Sequence, residues 1–381
     1  MNSACISKCL ALLFDMVIKN SIRREFEERR GDFSRQEIDI CDWFTRMYPD
    51  EFNYLLTYFG NEPRISGSKK RRVEFIDAFC VAVMRINSPA RLFELVPFTP
   101  PSMGCTEHTL LSHVLCRFFE KFKYSKIEVF RRVFGHFLKR RMDEYLLAFI
   151  DAGSPFALDS YFGAVAGLVD GTTIQICRPS EFVENDDGTF SRDQYGPLQR
   201  RMYSGYKKEH CIQFMGYLFP DGLFFLLDVN EGSVNDFEAM RRSCVPDILL
   251  EAQERTGRKF NFYADSGVYC SRPGYEHLIR RPLFATMDPS YEGHRNVNRR
   301  MSSIRIANEW AFGMLFNYFR GFHDVTRCQV GNGFVGDFLF ASLYLNLITC
   351  MRGGNETSDY FQLNPPDFHT FMAVLMNDIF V

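Results

Sequence analysis

The sequence predicts a mixed α/β sheet domain behind a helical N-terminal region, and three observations carry that prediction. Near residue 155 helical spacing gives way to a short apolar run, Gly163–Val169, that stops at Asp170-Gly171-Thr172. Further on, CIQFMGYLF, the turn PDG and LFFLLDV read as a β-hairpin. After it come a helix opened by Asn235 or Asp236 and carrying FEAMRRS, a strand at Lys259–Ala264, and a long helix from Asn298 to Tyr318. The order strand, hairpin, helix, strand, helix describes a mixed sheet rather than a doubly wound parallel one.

The elements before the sheet are helical. Residues 1–62 read as helices joined by the charged connector SIRREFEERRGDFSRQE. The linker PRISGSKKRR follows, and its Lys69, Lys70, Arg71 and Arg72 form a basic tract like a nuclear-import or nucleic-acid patch, with a solvated turn as the alternative. Residues 63–155 are then read as one helical domain. Apolar residues recur at helical spacing from Val73 to Leu95, until Pro97, Pro100 and Pro101 break the pattern. A second stretch is capped by Thr106, and a third contains KIEVFRRVFGHFLKRRMDEYLLAF. Arg131, Arg132, Lys139, Arg140 and Arg141 on that third stretch are read as the wet side of an amphipathic helix, with DNA as the alternative. Residues 160–351 make the sheet domain, within which 178–209 read as polar and irregular. Residues 352–381 form a tail with a short terminal helix.

Composition narrows the function classes. Of 381 residues, 46% are hydrophobic and 24% charged, as in an ordinary globular protein. Lys and Arg (45) nearly balance Asp and Glu (47), which excludes a uniformly cationic coat and an acidic disordered chain. Nucleic-acid binding is left to local patches or to a partner. The twelve cysteines contain no CxxC pair, so a Cys-pair zinc site is not expected, and reduced thiols in cytosol or nucleus are. The apolar stretch Cys9–Ile18 is interrupted by Asp15 and falls short of the roughly 20 residues of a membrane span. It reads as an amphipathic helix, not a signal peptide, and no membrane partner is expected.

The chemistry is expected at acids. Asp170 ends the first strand, Asp265 ends the fourth, and Glu309 lies on the following helix. Asp236 begins the intervening helix. Crowded carboxylates repel one another and lose solvation, and a divalent cation removes that cost. Mg²⁺ or Mn²⁺ suits such oxygen ligands. Two ions about 4 Å apart activate a water and stabilise the leaving oxygen of a phosphodiester. Each acid also has a plain structural alternative. Asp236 is a natural helix cap, Glu309 can pair with Arg305, and Asp170 can be a turn residue. A pair of carboxylates acting without metal, as in a glycosidase, is a further alternative.

Five strings in order resemble the PIF/Harbinger transposases of the DDE superfamily endonucleases: GLVDGTTIQI, QRRMYSGYKKEHCIQFMGYLFPDG, NEGSVNDFEAM, FYADSGVY and MSSIRIANEWAFGMLFNYFRGF. They cover roughly residues 160–325. The resemblance implies a ribonuclease H-like fold with Asp170, Asp265 and Glu309 as the catalytic, metal-binding acids and Asp236 as an additional ligand. It implies a divalent metal cofactor, DNA as substrate and a separate Myb/SANT-like DNA-binding partner, while the import-like basic tract and the reduced thiols point to a nuclear location. A homo-oligomer is compatible with it. Arg200, Arg201, Lys207 and Lys208 before the hairpin, and Arg299, Arg300 and Arg305 beside Glu309, are candidate contacts to DNA phosphates. Family members often carry a helix-turn-helix-like region in the N-terminal half. Here the turn between the first two helical stretches is too long for a compact version. Two positions depart from the family pattern: Thr173 and Asn235 stand where histidines are expected. A domesticated, non-cleaving DNA- or partner-binding protein is therefore the alternative function.

Overall fold

The computed structural model describes residues 127–156, 163–184, 189–193, 196–282, 294–323, 328 and 334–379, together with short stretches between 46 and 87. The basic tract at 69–71 and the helical stretch from Thr106 lie outside the described residues. Arg72 lies inside them, on a two-residue strand.

The chain forms two compact units. The first comprises residues 1–125, 316–327 and 331–341. In it, strands β1 (Ile65–Ser66) and β2 (Arg72–Val73) pair antiparallel, so the backbone at Val73 is extended where a helix was expected to begin. Met47, Phe52, Leu55, Phe79, Val83 and Ile86 are buried. Phe79 stands edge-on to Phe340 at 5.7 Å. Arg85, 9% exposed, pairs with Asp337 at 3.5 Å.

The second unit comprises residues 126–315, 328–330 and 342–381. It opens with helices α1 (Ile127–Arg140) and α2 (Met142–Asp151). The sequence reads as one helix here, but the chain breaks at Arg141, whose guanidinium turns inward to Asp221. Strand β3 (Ala164–Gln175) follows, then a small hairpin of β4 (Glu181–Glu184) and β5 (Phe190–Asp193). Helix α3 (Pro197–Met202) and strand β6 (Tyr203–Ser204) complete the region expected to be irregular. The long hairpin is β7 (Glu209–Leu218) and β8 (Phe224–Glu231), as expected. Its turn closes through Gly222, whose φ of +84° suits glycine and whose N–H donates to the Phe219 carbonyl at 3.0 Å. Helices α4 (Asp236–Arg242) and α5 (Val245–Thr256) lead to β9 (Phe260–Ala264) and β10 (Ile279–Arg280). Helices α6 (His294–Tyr318), α7 (Phe334–Arg352), α8 (Glu356–Phe361) and α9 (Phe368–Ile379) close the chain, α6 and α7 each contributing to both units.

The sheet is mixed, as the element order predicts. Its order is β10-β9-β3-β7-β6, with β8 also on β7. β10, β9 and β3 run parallel, while β7 is antiparallel to β3, β6 and β8. One aromatic cluster anchors the core. Phe134 of α1 stacks on Phe219 at 5.0 Å and meets Tyr217, Phe225 and Phe262 within 6.0 Å. Side chains of α7 satisfy the free backbone of β8. Asn346 accepts from the Phe224 N–H at 2.8 Å and donates to its carbonyl at 2.9 Å, and Ser342 accepts from the Leu226 N–H. An open sheet edge is thereby covered.

Candidate active site

One strand pairing sets the first two acids side by side. β3 and β9 run parallel in a register that ends with Val169 opposite Ala264. Asp170 and Asp265 are the next residues on the two chains. Asp170 was expected to end its strand, yet β3 continues to Gln175, with Asp170 opposite Gly216 of β7. The β-branched run Thr172-Thr173-Ile174 keeps the backbone extended. What ends at Asp170 is the pairing with β9. The sheet opens on that edge, and the acids stand at the opening. Each carboxylate accepts from the following backbone N–H: Gly171 to Asp170 at 2.9 Å, Ser266 to Asp265 at 2.7 Å.

Asp236 is not the cap of α4. Asn235 is, its side chain accepting the Glu238 N–H at 2.9 Å. Asp236 is thus free to turn toward the sheet, where it lies against Gly171. A Cβ at Gly171 would run into the Asp236 carboxylate, which would have to shift to make room for it. The Gln213 side-chain amide donates to the same carboxylate. Gln213 and Gly171 belong to one face of the sheet, since Gly171 pairs with Met215 and side chains alternate along a strand. Asp170 points to the other face.

Helix α6 serves that other face. Arg305 reaches Asp170 at 3.4 Å instead of pairing with Glu309. Two turns on, Phe312 packs edge-on against Phe224 at 4.9 Å, and a Cβ at Gly216 would stand 2.7 Å from its ring. Asp170 and Gly216 are register partners, so the stripe Arg305, Glu309, Phe312 runs along this part of the sheet. Glu309 lies on that stripe, exposed. Phe312 is a packing residue, and Trp310 stands edge-on to Tyr360 at 5.4 Å.

The electrostatics of the acids follow from burial and from the charges around them. Burial pushes the Asp170 carboxyl up to about 6, and the negative charges of Asp236 and Asp265 push it further up, against Arg305 and the Gly171 N–H. Burial also raises Asp236, which Gln213 lowers and Asp265 raises again. Three aspartates therefore share one field, with Arg305 as the cation on Asp170 and Lys207 drawing Asp236 down.

The other basic candidates are spread more widely. Arg201 donates through Nε to Glu231 at 2.8 Å. Arg200, Lys208, Arg299 and Arg300 are exposed. Tyr206 is 91% exposed and Tyr203 41%. Two residues at the site were not singled out from the sequence. Gln213 is one polar residue in an apolar strand. Tyr263 lies within an apolar strand, and its buried hydroxyl has no hydrogen-bond partner among the described residues. Burial pushes that hydroxyl up to about 12, with Arg305 lowering it and Asp265 raising it.

The donor chemistry fits a hard divalent cation: oxygen ligands, sheltered and short of positive charge. Among the described residues, however, no three Asp, Glu, His or Cys side chains gather closely enough to share one ion. Residues 169–332 match the family model described as DDE superfamily endonuclease, a segment that begins one residue before Asp170 and encloses Asp236, Asp265 and Glu309. No curated protein and no solved structure matches the chain.

Proposed function

We propose that this chain is a metal-dependent DNA endonuclease of the transposase kind, with a ribonuclease H-like core of the PIF/Harbinger type. The observation that carries this reading is the shared field of Asp170, Asp236 and Asp265 where the β3–β9 pairing stops, inside a segment that matches a DDE endonuclease model. DDE superfamily endonucleases generally use divalent metals.

Asp170 and Asp265 would hold the ion, Mg²⁺ or Mn²⁺, and Glu309 would add a ligand from α6. When bound, the cation supplies a nucleophilic water at neutral pH and stabilises charge on the phosphodiester oxygens. The chain's own groups prepare this. The Gly171 and Ser266 N–H groups orient Asp170 and Asp265. Asp236, steered by Gln213, adds negative charge from the opposite face of the sheet. Arg305 holds Asp170 against repulsion and, once a ligand replaces it there, can turn to a DNA phosphate. Lys207, Lys208 and Arg200 are exposed, and Lys207 lies in the field of Asp236. A nuclear location, the basic tract Lys69–Arg72 as an import signal, a Myb/SANT-like partner and a homo-oligomer belong to this reading.

A second reading has its own observation. Arg305 already neutralises Asp170, no three ligands converge among the described residues, and Thr173 and Asn235 replace expected histidines. A domesticated protein that binds DNA without cutting it accounts for these features. Nicking of supercoiled plasmid, run with Mg²⁺, Mn²⁺ or EDTA, decides between the two. The nuclease nicks only with metal, and Asp170→Asn and Glu309→Gln abolish the nicking. Wild-type protein that binds plasmid but never nicks it is the domesticated protein.

A further inference from the structure

A second feature stands at the tip of the short hairpin that precedes the long one. β6 pairs antiparallel with the start of β7, Tyr203 opposite His210 and Ser204 opposite Glu209. The loop Gly205-Tyr206-Lys207-Lys208 joins the two strands. Hydrogen bonds set its backbone. The Lys208 N–H donates to the Ser204 carbonyl at 2.8 Å, and the Lys207 N–H donates to the Ser204 hydroxyl oxygen at 3.2 Å. Lys208 turns the chain through the left-handed region, at a φ of +58°. The base of the hairpin is anchored as well: Ser204 is buried, and Tyr203 stands edge-on to His210 at 5.3 Å.

This ordered tip presents the Tyr206 ring to solvent. Tyr206 is 91% exposed, whereas the next most exposed large apolar side chain among the described residues, Leu147, is 51%. A Cβ at Gly205 would meet nothing within 4 Å, so the tip stands clear of the chain around it. One exposed apolar side chain is ordinary; its company is what specifies a partner here. The Lys207 ammonium lies 5.9 Å from the Tyr206 ring centroid. Lys208 and Arg200 are exposed, and neither forms a salt bridge among the described residues. Arg201, by contrast, is held by Glu231. A flat π-face beside cations is complementary to a base and the phosphate that follows it. Lys207 also lies in the field of Asp236, which places the tip near the acids.

We infer that Tyr206 is a stacking platform for an unpaired base of a DNA strand, with a phosphate of the same strand drawn to Lys208. The inference rests on the reading of DNA as this chain's substrate. Inside a duplex the base faces are covered by the neighbouring pairs, so the ring finds a base only where the strand is open. The contact tolerates any sequence, because every base has a π-face. The platform therefore favours a strand end, a junction or a melted segment over continuous duplex. The carboxylates act on that strand, and Tyr206 holds it.

The test is fluorescence anisotropy of a labelled single strand of about 20 nucleotides, and of the matching duplex, with the full chain in EDTA. Tyr206→Ala is expected to weaken single-strand binding about tenfold, the size of one lost base stack, and to leave duplex binding within about twofold. Tyr206→Trp is expected to restore the strand affinity, because the ring and not the hydroxyl makes the contact. A fluorescent base analogue in the strand is expected to be quenched by the wild type and by Tyr206→Trp, and not by Tyr206→Ala. Lys208→Ala is expected to lower the single-strand salt slope by about 0.7. Strand binding by Tyr206→Ala equal to that of the wild type overturns the inference. So does an equal loss on strand and duplex, or a Tyr206→Trp protein as weak as Tyr206→Ala. Metal-free binding separates the two ideas. Tyr206-dependent strand binding without plasmid nicking removes the nuclease and keeps the platform; metal-dependent nicking by a protein whose strand binding ignores Tyr206 does the reverse.

Discussion

Two sets of sheltered aspartates in the same unit differ in the company they keep. Asp221, in the β7–β8 turn, is wholly buried and meets the Arg141 guanidinium at 2.5 Å, the Tyr145 hydroxyl at 2.8 Å and the Leu223 N–H at 3.1 Å. Asp228, on β8, accepts from Tyr217 at 2.7 Å and Ser243 at 2.6 Å. Asp170 has one backbone N–H, a more distant Arg305, and two other aspartates in its field. Burial pushes both Asp170 and Asp221 up to about 6, so burial does not tell them apart. The neighbours do. An acid surrounded by donors and a cation holds the fold together, whereas acids facing one another lack a positive charge that a ligand can bring.

The largest expected effect lies at the crowded set. Asp170→Asn or Asp265→Asn should lower plasmid nicking by about a thousandfold, since several kcal/mol of charge stabilisation go with a ligand and about 4 kcal/mol is that factor. The same variants should melt at or above the wild-type temperature, because a repelling charge is gone. Asp221→Ala should do the opposite. It strands Arg141, whose side chain is 13% exposed, and should cost about 3–5 kcal/mol in urea unfolding. Nicking by the protein that remains folded should persist.

Smaller changes sharpen the contrast. Gly171→Ala pushes a methyl group into the Asp236 carboxylate and should destabilise by about 1–3 kcal/mol. It should also reduce nicking by about 10–100-fold, the size of a disturbed metal support. Asn235→Ala removes the cap of α4 at a cost of about 1 kcal/mol, with a lesser effect on nicking.

The sequence showed the parts that rest on strong local signals. The Pro220-Asp221-Gly222 turn between two apolar runs marks the hairpin, and apolar residues halting at an acid mark Asp265. The hairpin of β4 and β5 was missed because Glu181–Glu184 and Phe190–Asp193 carry little apolar alternation, although Asp187-Gly188 between them is a hairpin signal. Gln213 and Tyr263 were hidden because their roles depend on which face of the sheet they meet, and that is a matter of register. The choice between Asp236 and Asn235 as helix cap turned on one residue of phase. The inward turn of Arg141 depended on a partner 80 residues away.

The central claim is that Asp170, Asp236 and Asp265 carry more negative charge than Arg305 offsets, an excess that a metal removes, whereas Asp221 and Asp228 are each met by their own donors. Titration of the protein with Mn²⁺, followed by electron paramagnetic resonance, tests it without DNA or activity. The account predicts binding by the wild type and by Asp228→Asn, and loss of binding in Asp170→Asn and Asp265→Asn. Equal binding by all four proteins, or none by the wild type, would contradict it.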